Sequence, residues 1–264
     1  MIEFISSMRE AFGLKGKSAI VTGGNGGIGL GIAKALAECG ANIAILCRNM
    51  DKAKGALEEL SSYGGKYKAF TCDILNVESV LAAVDKAYEE FGDIEILVNN
   101  SGVATAGKFL DMDPSFSQWD LVIGTDLTGM AHVTYAVGRR MRDARKGGSI
   151  VNITSNAGAI VNKGVGLSTY AVAKAGANHF TRCMAVEFGE FDVRVNAIAP
   201  GYTHAGFGAD PGPDLMKMVN DQQPLKRMGE AIEIGALAVF LASPASAHIT
   251  GEVITIDGGY TLSC

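Results

Sequence analysis

The chain has 264 residues, 48% of them hydrophobic and 19% charged, and its formal net charge is −5 at pH 7. This length and composition suit one globular domain with a large core and exclude a disordered or fibrous chain. The negative charge and the lack of a lysine- and arginine-rich stripe argue against a nucleic-acid partner.

The cysteines, the N-terminus and the hydropathy indicate the compartment. The five cysteines show no zinc-ligand spacing, so we expect free thiols in a reducing environment and no metal site. No apolar run is long enough to span a membrane, and the N-terminus lacks the apolar core of a signal peptide. We therefore expect a cytoplasmic protein with no membrane partner.

Apolar runs and segments of helical periodicity alternate along the whole chain. The short runs, typical of buried strands, are Ser18–Thr22, Asn42–Cys47, Lys68–Cys72, Ile94–Val98, Ser149–Ile153, Val193–Ala197 and Val253–Ile256. The predicted helices are Ile28–Cys39, Asp51–Leu60, Val77–Phe91, Pro114–Met141, Tyr170–Phe188 and Ala231–Leu241. This order predicts an α/β fold: a Rossmann-like, doubly wound, mostly parallel seven-stranded sheet flanked by helices, in a single domain of residues 1–264.

Two segments lie outside the alternating pattern. Residues 1–13 form an N-terminal extension before the first strand. Residues 202–227 are rich in Gly, Pro and Asp, and we expect a long loop there. Because a long loop in a compact domain often covers a binding site, residues 202–227 are a candidate substrate lid.

A glycine-rich turn links the first strand to the first long helix. It runs from Thr22 to Gly29 and contains the candidate phosphate contacts Gly23, Asn25, Gly27, Ile28 and Gly29. Glycines allow a sharp turn and a close approach to a pyrophosphate, whose charge is favoured at a helix N-terminus. In this strand–turn–helix context the turn predicts a dinucleotide site.

The end of the second strand indicates which dinucleotide is bound. An NAD site usually has an acidic residue there, which binds the ribose 2′-hydroxyl. This chain has Cys47 in that place, followed by Arg48, whose guanidinium suits a 2′-phosphate. NADP(H) is therefore favoured, with NAD(H) as the alternative.

A tyrosine and a lysine share one face of a predicted helix. Tyr170 and Lys174 are four residues apart, and a fixed cation beside a phenol favours the phenolate. Ser155 follows a buried strand and lies at the strand edge where open α/β sheets bind ligands. These side chains and the glycine turn are thus expected on one rim.

Taken together, the motifs resemble those of the short-chain dehydrogenase/reductase family, in its single-domain branch, from about Leu14 to Gly259. They occur in the family's order: the TGxxxGxG turn at Thr22–Gly29, Asp73, Asn99–Gly102 in place of NNAG, Ser155 with Tyr170 and Lys174, Pro200–Gly201, and Asp257–Gly259.

The resemblance implies a role for each matched residue. Tyr170 would be the general acid in reduction and the general base in oxidation. Lys174 would favour the phenolate and hold the nicotinamide ribose, and Ser155 would hydrogen-bond the reacting oxygen. The implied cofactor contacts beyond the glycine turn and Arg48 are Asp73, Ile74, Asn100, Gly102, Tyr170, Lys174, Pro200, Gly201 and Thr203.

One catalytic position departs from the family pattern. Where the family has an asparagine that holds a water linked to the lysine, this chain has Asp126. A carboxylate accepts hydrogen bonds but cannot donate like an amide, and its charge favours protonated Lys174. Either Asp126 keeps this relay with an altered pH dependence, or the substitution is simply tolerated.

The expected function is hydride transfer between NADP(H) and a secondary alcohol or ketone. The residues before the first strand, Phe12–Lys17, resemble those of relatives that act on sugar acids and polyols. A sugar acid, polyol or ketose is therefore the favoured small-molecule substrate, with Asn156, Ala157, Tyr202 and His204 as candidate contacts. The alternatives are a hydroxysteroid or bile-acid dehydrogenase, a 3-ketoacyl-thioester reductase and a non-catalytic NADP-binding sensor or scaffold. The resemblance also implies a homo-oligomer, a dimer or tetramer.

Overall fold

The computed structural model describes residues 7–162, 165–204 and 212–263. Its seven parallel strands form one sheet in the order β3-β2-β1-β4-β5-β6-β7. The strands are β1 Ser18–Thr22, β2 Asn42–Cys47, β3 Tyr67–Thr71, β4 Ile96–Asn99, β5 Gly148–Ile153, β6 Val193–Pro200 and β7 Val253–Ile256. The predicted fold class and the number of strands are confirmed.

Helices cover both faces of the sheet. They are α1 Met8–Ala11, α2 Gly27–Glu38, α3 Met50–Leu60, α4 Val77–Phe91, α5 Ser117–Ile123, α6 Met130–Ala144, α7 Ser168–Phe188, α8 Gly212–Gln222 and α9 Ala231–Ala242. One buried cluster joins the sheet to α2, α3 and α9, and a second joins it to α4, α6 and α7. Because both faces are covered, central strands such as β1 are buried along their whole length.

The strand order fixes where a ligand can bind. From β1 the chain proceeds outward to β2 and β3, and it then returns to β4 on the other side of β1. The connections that leave β1 and β4 therefore diverge and open a crevice at the carboxyl ends of these strands. The glycine turn after β1 lies at this switch point.

The prediction of one continuous helix over Pro114–Met141 is wrong, because the helix is interrupted. The structure has α5, then a π-helical segment at Gly124–Gly129, then α6, which ends at Ala144. A π segment widens the turn locally, and such insertions often occur at functional sites. Apolar periodicity does not reveal this change, because both sides of the segment keep a helical pattern.

The predicted loop over residues 202–227 is wrong in part. Gly212–Gln222 form α8, whose Val219 is buried, while residues 205–211 lie outside the described part of the chain. Three glycines and two prolines in residues 206–213, which overlap the start of α8, concealed this helix.

The N-terminal extension packs on the domain from residue 7 onward, and residues 1–6 lie outside the described part. Ser7 caps α1 by accepting a hydrogen bond from the Glu10 amide at 3.2 Å. The ring of Phe12 lies 6.1 Å from that of Phe240 on α9. Within the described residues, no helix is long and apolar enough to cross a membrane.

Replacement of Gly31 tests the contact between α2 and α9. A Cβ on Gly31 would lie 2.5 Å from the Cβ of Ala231 and 2.9 Å from its backbone. Gly31→Val is therefore expected to lower the free energy of unfolding by about 2–3 kcal/mol, because backbone must move to admit the side chain. Gly55→Val, on the exposed side of α3 with open space around it, is the matched control for urea denaturation. Equal stability of the two variants would contradict the close packing.

Candidate active site

A cleft of about 1110 Å³ runs along the carboxyl ends of the central strands. Nearly all the predicted cofactor and substrate contacts line it: Gly23, Asn25, Gly27, Ile28, Arg48, Asp73, Ile74, Asn100, Gly102, Ser155, Asn156, Ala157, Tyr170, Lys174, Pro200, Gly201, Tyr202, Thr203 and His204. Two predicted residues lie behind the wall of the cleft, Gly29 below the glycine turn and Asp126 behind Lys174.

The glycine turn has the geometry that its sequence requires. Gly23 and Gly27 have φ angles of +65° and +56°, which side-chain-bearing residues rarely adopt. A Cβ on Gly29 would lie 2.4 Å from the carbonyl oxygen of Gly23, so Gly29 allows α2 to pack against the turn. The Thr22 hydroxyl accepts hydrogen bonds from the amides of Asn100 and Ser101 at 2.9 and 3.0 Å, which ties the turn to the end of β4.

The turn and the start of α2 fit a dinucleotide. The N-cap of α2 is Gly26, which provides no side chain to occupy the first amide groups of the helix. Exposed amides and the positive end of the helix dipole form an anion site, and the glycines leave room for a pyrophosphate. The residues present therefore fit the nicotinamide dinucleotide that this type of fold binds.

Two cations lie at the end of the cleft near β2. Arg48 is exposed after β2, and the ammonium of Lys52 lies over the turn, 3.5 Å from the position of a Cβ on Gly26. The Asn25 amide donates to the carbonyl of Asn49 at 3.2 Å, which fixes this end of β2 to the turn. Burial raises the pKa of the Cys47 thiol, so a neutral group stands where an NAD site has a carboxylate.

Ser155, Tyr170 and Lys174 meet at the other end of the cleft. Ser155 follows β5, while Tyr170 and Lys174 lie on the first turns of α7, and all three side chains are buried. The Lys174 ammonium donates to the carbonyl of Ile153 at 3.1 Å and lies 5.4 Å from the centre of the Tyr170 ring. The Ser155 hydroxyl accepts from the Ala157 amide at 3.1 Å.

A buried polar network holds these elements together. The Asn99 amide donates to Asn152 and to Thr134, each at 2.9 Å, and the Asn152 amide donates to Thr181 on α7 at 3.0 Å. Because unpaired polar groups are costly inside a protein, such a network defines one relative position of β4, β5 and α7. The sequence did not reveal this function of Asn99 and Asn152.

Asp126 lies in the π segment and is fully buried. One carboxylate oxygen, Oδ1, accepts the Val103 amide at 2.7 Å, and Oδ2 lies 3.7 Å from the Lys174 ammonium. Burial raises the pKa of Asp126, while Lys174 and the Val103 amide oppose that rise. A Cβ on Gly102 would lie 2.9 Å from Oδ1, so glycine at that position admits the carboxylate.

The residues predicted to contact substrate lie at the catalytic end of the cleft. The Asn156 amide donates to Asp257 at 3.4 Å, and the ring of Tyr202 lies 5.4 Å from that of Tyr260. His204 lies at the rim, with Nε2 4.0 Å from a Glu230 carboxylate oxygen. Thr203 donates to the carbonyl of Gly201 at 3.1 Å.

Several lining residues were missed by the sequence analysis, chiefly Lys52, Ser101, Asn162 and Met228. Lys52 lies in the first turn of α3, which begins two residues after Arg48, and a second cation so close in sequence to the predicted phosphate contact was an available signal. Asn162 belongs to an irregular segment whose position depends on tertiary contacts. Among the described residues, no cluster of three or more histidine, cysteine or acidic side chains could hold a metal ion.

Comparisons with known proteins agree with this geometry. A family model described as enoyl-(acyl carrier protein) reductase matches residues 23–261. The sorbose reductase of Candida albicans is 36% identical over 97% of this chain and 91% of its own length. The 3-oxoacyl-[acyl-carrier-protein] reductase of Chlamydia muridarum is 40% identical, over 93% of this chain and 98% of its own.

Two solved structures share the fold over nearly their whole length. A short-chain dehydrogenase/reductase from Mycobacterium marinum superposes with a TM-score of 0.90 at 35% identity, covering 97% of this chain and 99% of that one. A gluconate 5-dehydrogenase from Burkholderia cenocepacia, solved with NADP and tartrate, gives 0.91 at 29% identity, covering 98% and 100%. The chain is therefore a member of the short-chain dehydrogenase/reductase family, a nicotinamide-dependent oxidoreductase that acts on CH–OH groups.

Proposed function

We propose that the chain transfers a hydride between NADP(H) and a secondary alcohol or ketone of the sugar-acid, polyol or ketose class. The observation that most supports this is the meeting of Ser155, Tyr170 and Lys174 in the same cleft as the glycine turn. A phenol, a hydroxyl and a buried ammonium provide what a carbonyl reduction needs: a proton donor, a partner for the reacting oxygen and a fixed positive charge.

The proposed mechanism assigns one task to each side chain. The Ser155 hydroxyl donates a hydrogen bond to the substrate oxygen and positions the reacting carbon. The Tyr170 phenol donates a proton to the developing alkoxide in reduction and accepts it back in oxidation. Lys174, held by the Ile153 carbonyl, stabilises the phenolate that the reduction leaves behind. When bound in the cleft, a nicotinamide dinucleotide would supply or accept the hydride.

The preference for NADP(H) rests on charge. Arg48 and Lys52 are the cations that line the end of the cleft near β2, and Cys47 adds no negative charge there. Hydrogen bonds from a guanidinium to a phosphate are stronger than those between neutral groups. The solved relative that binds NADP supports the same choice.

Replacement of Arg48 tests this preference. Arg48→Ser is expected to raise the KM for NADPH about tenfold or more and to leave the KM for NADH nearly unchanged, because only the phosphate loses a charged partner. Arg142→Ser, an exposed arginine on α6, is the matched control. Equal losses with both cofactors, or no loss with either, would contradict the role of Arg48.

The substrate class rests on polar groups near Tyr170. Asn156, Asn162 and His204 line the catalytic end of the cleft, where a polyhydroxylated chain could form hydrogen bonds. The sorbose reductase and the gluconate dehydrogenase support this class, whereas the 40% identical acyl-carrier-protein reductase keeps a 3-ketoacyl thioester as the second candidate.

A panel of carbonyl substrates separates these candidates. Oxidation of NADPH is followed with ketoses, keto-sugar acids, an acetoacetyl thioester and oxo-steroids. We expect the highest kcat/KM with a ketose or keto-sugar acid. A higher value with the thioester or a steroid would overturn the substrate class, and tight cofactor binding without any turnover would favour the sensor or scaffold.

Two structural roles complete the proposal. Residues 202–227 would cover the substrate, since a β-bridge joins Thr203 to Gly229 at the base of this segment and Tyr202 lines the cleft. The chain would form a cytoplasmic dimer or tetramer through its middle helices (α5 with α6, and α7) and its final strand β7, as Leu121 and Val186 are exposed and β7 is an edge strand. Light scattering coupled to size exclusion would refute the oligomer if it showed a monomer at micromolar concentration.

A further inference from the structure

The pair formed by Asp126 and Lys174 lies at the catalytic position that departs from the family pattern. Of the ion pairs among the described residues, it is the one with both side chains buried, at 0% and 3% exposure. The Asp126 Oδ2 atom, 3.7 Å from the ammonium, has no hydrogen-bond partner, although a buried carboxylate oxygen normally has one. Because a buried ion pair often adds little to stability, a functional role would explain why this pair is present.

We propose that Asp126 is the counter-ion of Lys174 and keeps Tyr170 in its acid form, which biases the site towards carbonyl reduction at neutral pH. The proposal rests on the proposed function, because it assumes that Tyr170 moves the proton. In it Asp126 is a positioning residue that acts through Lys174 and does not touch the substrate.

The charges around Tyr170 determine whether Asp126 favours the phenol or the phenolate. A lone ammonium beside Tyr170 favours the phenolate, whereas an ammonium paired with a carboxylate presents a weaker field at the same distance. Lys174, from α7, is the charged side chain that acts on Asp126 within the described residues, and the loop after β4 contributes the Val103 amide. Ser155 after β5 is neutral. Besides Tyr170 and Lys174 on α7, the titratable side chains that line the cleft are Cys47, Arg48 and Lys52 near the end of β2, Cys72 and Asp73 after β3, and Tyr202 and His204 after β6.

The negative charge of the Asp126 side chain can be removed without a change in the shape of that side chain. An asparagine has the same outline, and its carbonyl oxygen could still accept the Val103 amide. Asp126→Asn therefore removes the negative charge and keeps the packing of the π segment.

The test is the pH dependence of both reaction directions in Asp126→Asn. We expect the pH at which reduction declines and oxidation rises to move down by about one unit, since removal of an anion near the phenol favours the phenolate. Oxidation at neutral pH should become up to about tenfold faster. Asp120→Asn removes an exposed carboxylate from α5 and is the matched control, with no expected shift.

A second measurement does not require turnover. Tyrosinate absorbance is titrated in the wild type and in Tyr170→Phe, and their difference reports Tyr170 alone. The same subtraction in the Asp126→Asn background should place the Tyr170 transition at lower pH. Unchanged profiles and an unchanged transition would overturn the proposal while leaving the proposed function intact. Undiminished turnover in Tyr170→Phe would instead overturn the role of Tyr170, and absence of turnover with every substrate of the panel would overturn the proposed function.

Discussion

Replacing Tyr170 with phenylalanine is expected to reduce kcat/KM about 10³-fold, because proton transfer by a positioned side chain contributes about 10²–10⁴-fold. The fold should be retained. The Tyr170 ring packs with Val122, Ala157 and Ala173, and phenylalanine preserves that contact. Steady-state rates, together with cofactor binding followed by fluorescence, separate a loss of chemistry from a loss of binding.

The matched control for this substitution is Tyr135→Phe. Tyr135 is exposed on α6, outside the cleft, so removal of its hydroxyl should leave kcat/KM unchanged. A Tyr170→Phe variant that kept more than about a tenth of the wild-type kcat/KM would show that Tyr170 is not the general acid.

Replacing Lys174 with methionine is expected to abolish most activity and also to destabilise the protein. The substitution removes the cation beside Tyr170 and leaves the Asp126 carboxylate buried without a counter-ion. Breaking a buried ion pair by removal of one partner costs about 3–5 kcal/mol. The same substitution therefore lowers activity by removing the cation beside Tyr170 and lowers stability by leaving Asp126 without a counter-ion.

The double variant Lys174→Met/Asp126→Asn distinguishes them. Neutralising both partners should recover most of the lost free energy of unfolding and none of the activity. The destabilisation of Lys174→Met should also depend on pH. Burial raises the pKa of Asp126, and Lys174 opposes that rise, so the pKa should be higher still in Lys174→Met. The loss of stability is therefore full at neutral pH, where the carboxylate is charged, and becomes smaller at lower pH, where the carboxyl gains a proton.

Urea denaturation of the two single variants, the double variant and the wild type at several pH values tests this account. If Lys174→Met were as stable as the wild type at neutral pH, Asp126 would not be an ion in the folded protein. The electrostatic role given to Asp126 would then be wrong as well.

The central sheet was predictable because its strands are buried on both faces. Such strands are continuous apolar runs, and the run at Ser18–Thr22 has the predicted bounds. The bounds of other strands differ from the predicted runs, because a residue can be buried without taking part in the hydrogen bonds of the sheet. For β4 the predicted run was Ile94–Val98, whereas the strand begins at Ile96 and ends at Asn99. Asn99 escaped the prediction because it is polar yet buried by its bonds to Asn152 and Thr134.

The candidate site was predictable where a motif fixes local geometry. The glycine turn and the Tyr170–Lys174 spacing belong to this kind, and the structure brings both to one cleft. The π segment, α8 and the location of Lys52 over the turn depend on tertiary contacts, which local periodicity does not encode. The proximity of Asp126 and Lys174 was expected only from the family resemblance, because the two residues are distant in sequence.

The central claim is that this cleft transfers hydride from NADPH to a carbonyl carbon with Tyr170 as the proton donor. The most direct measurement uses NADPH that carries deuterium at both C4 positions and the best ketose or keto-sugar acid of the panel, with mass spectrometry of the product. We predict one deuterium on the carbinol carbon with the wild-type protein and almost none with Tyr170→Phe over the same time. Absence of deuterium from the wild-type product, or equal incorporation by both proteins, would contradict the claim.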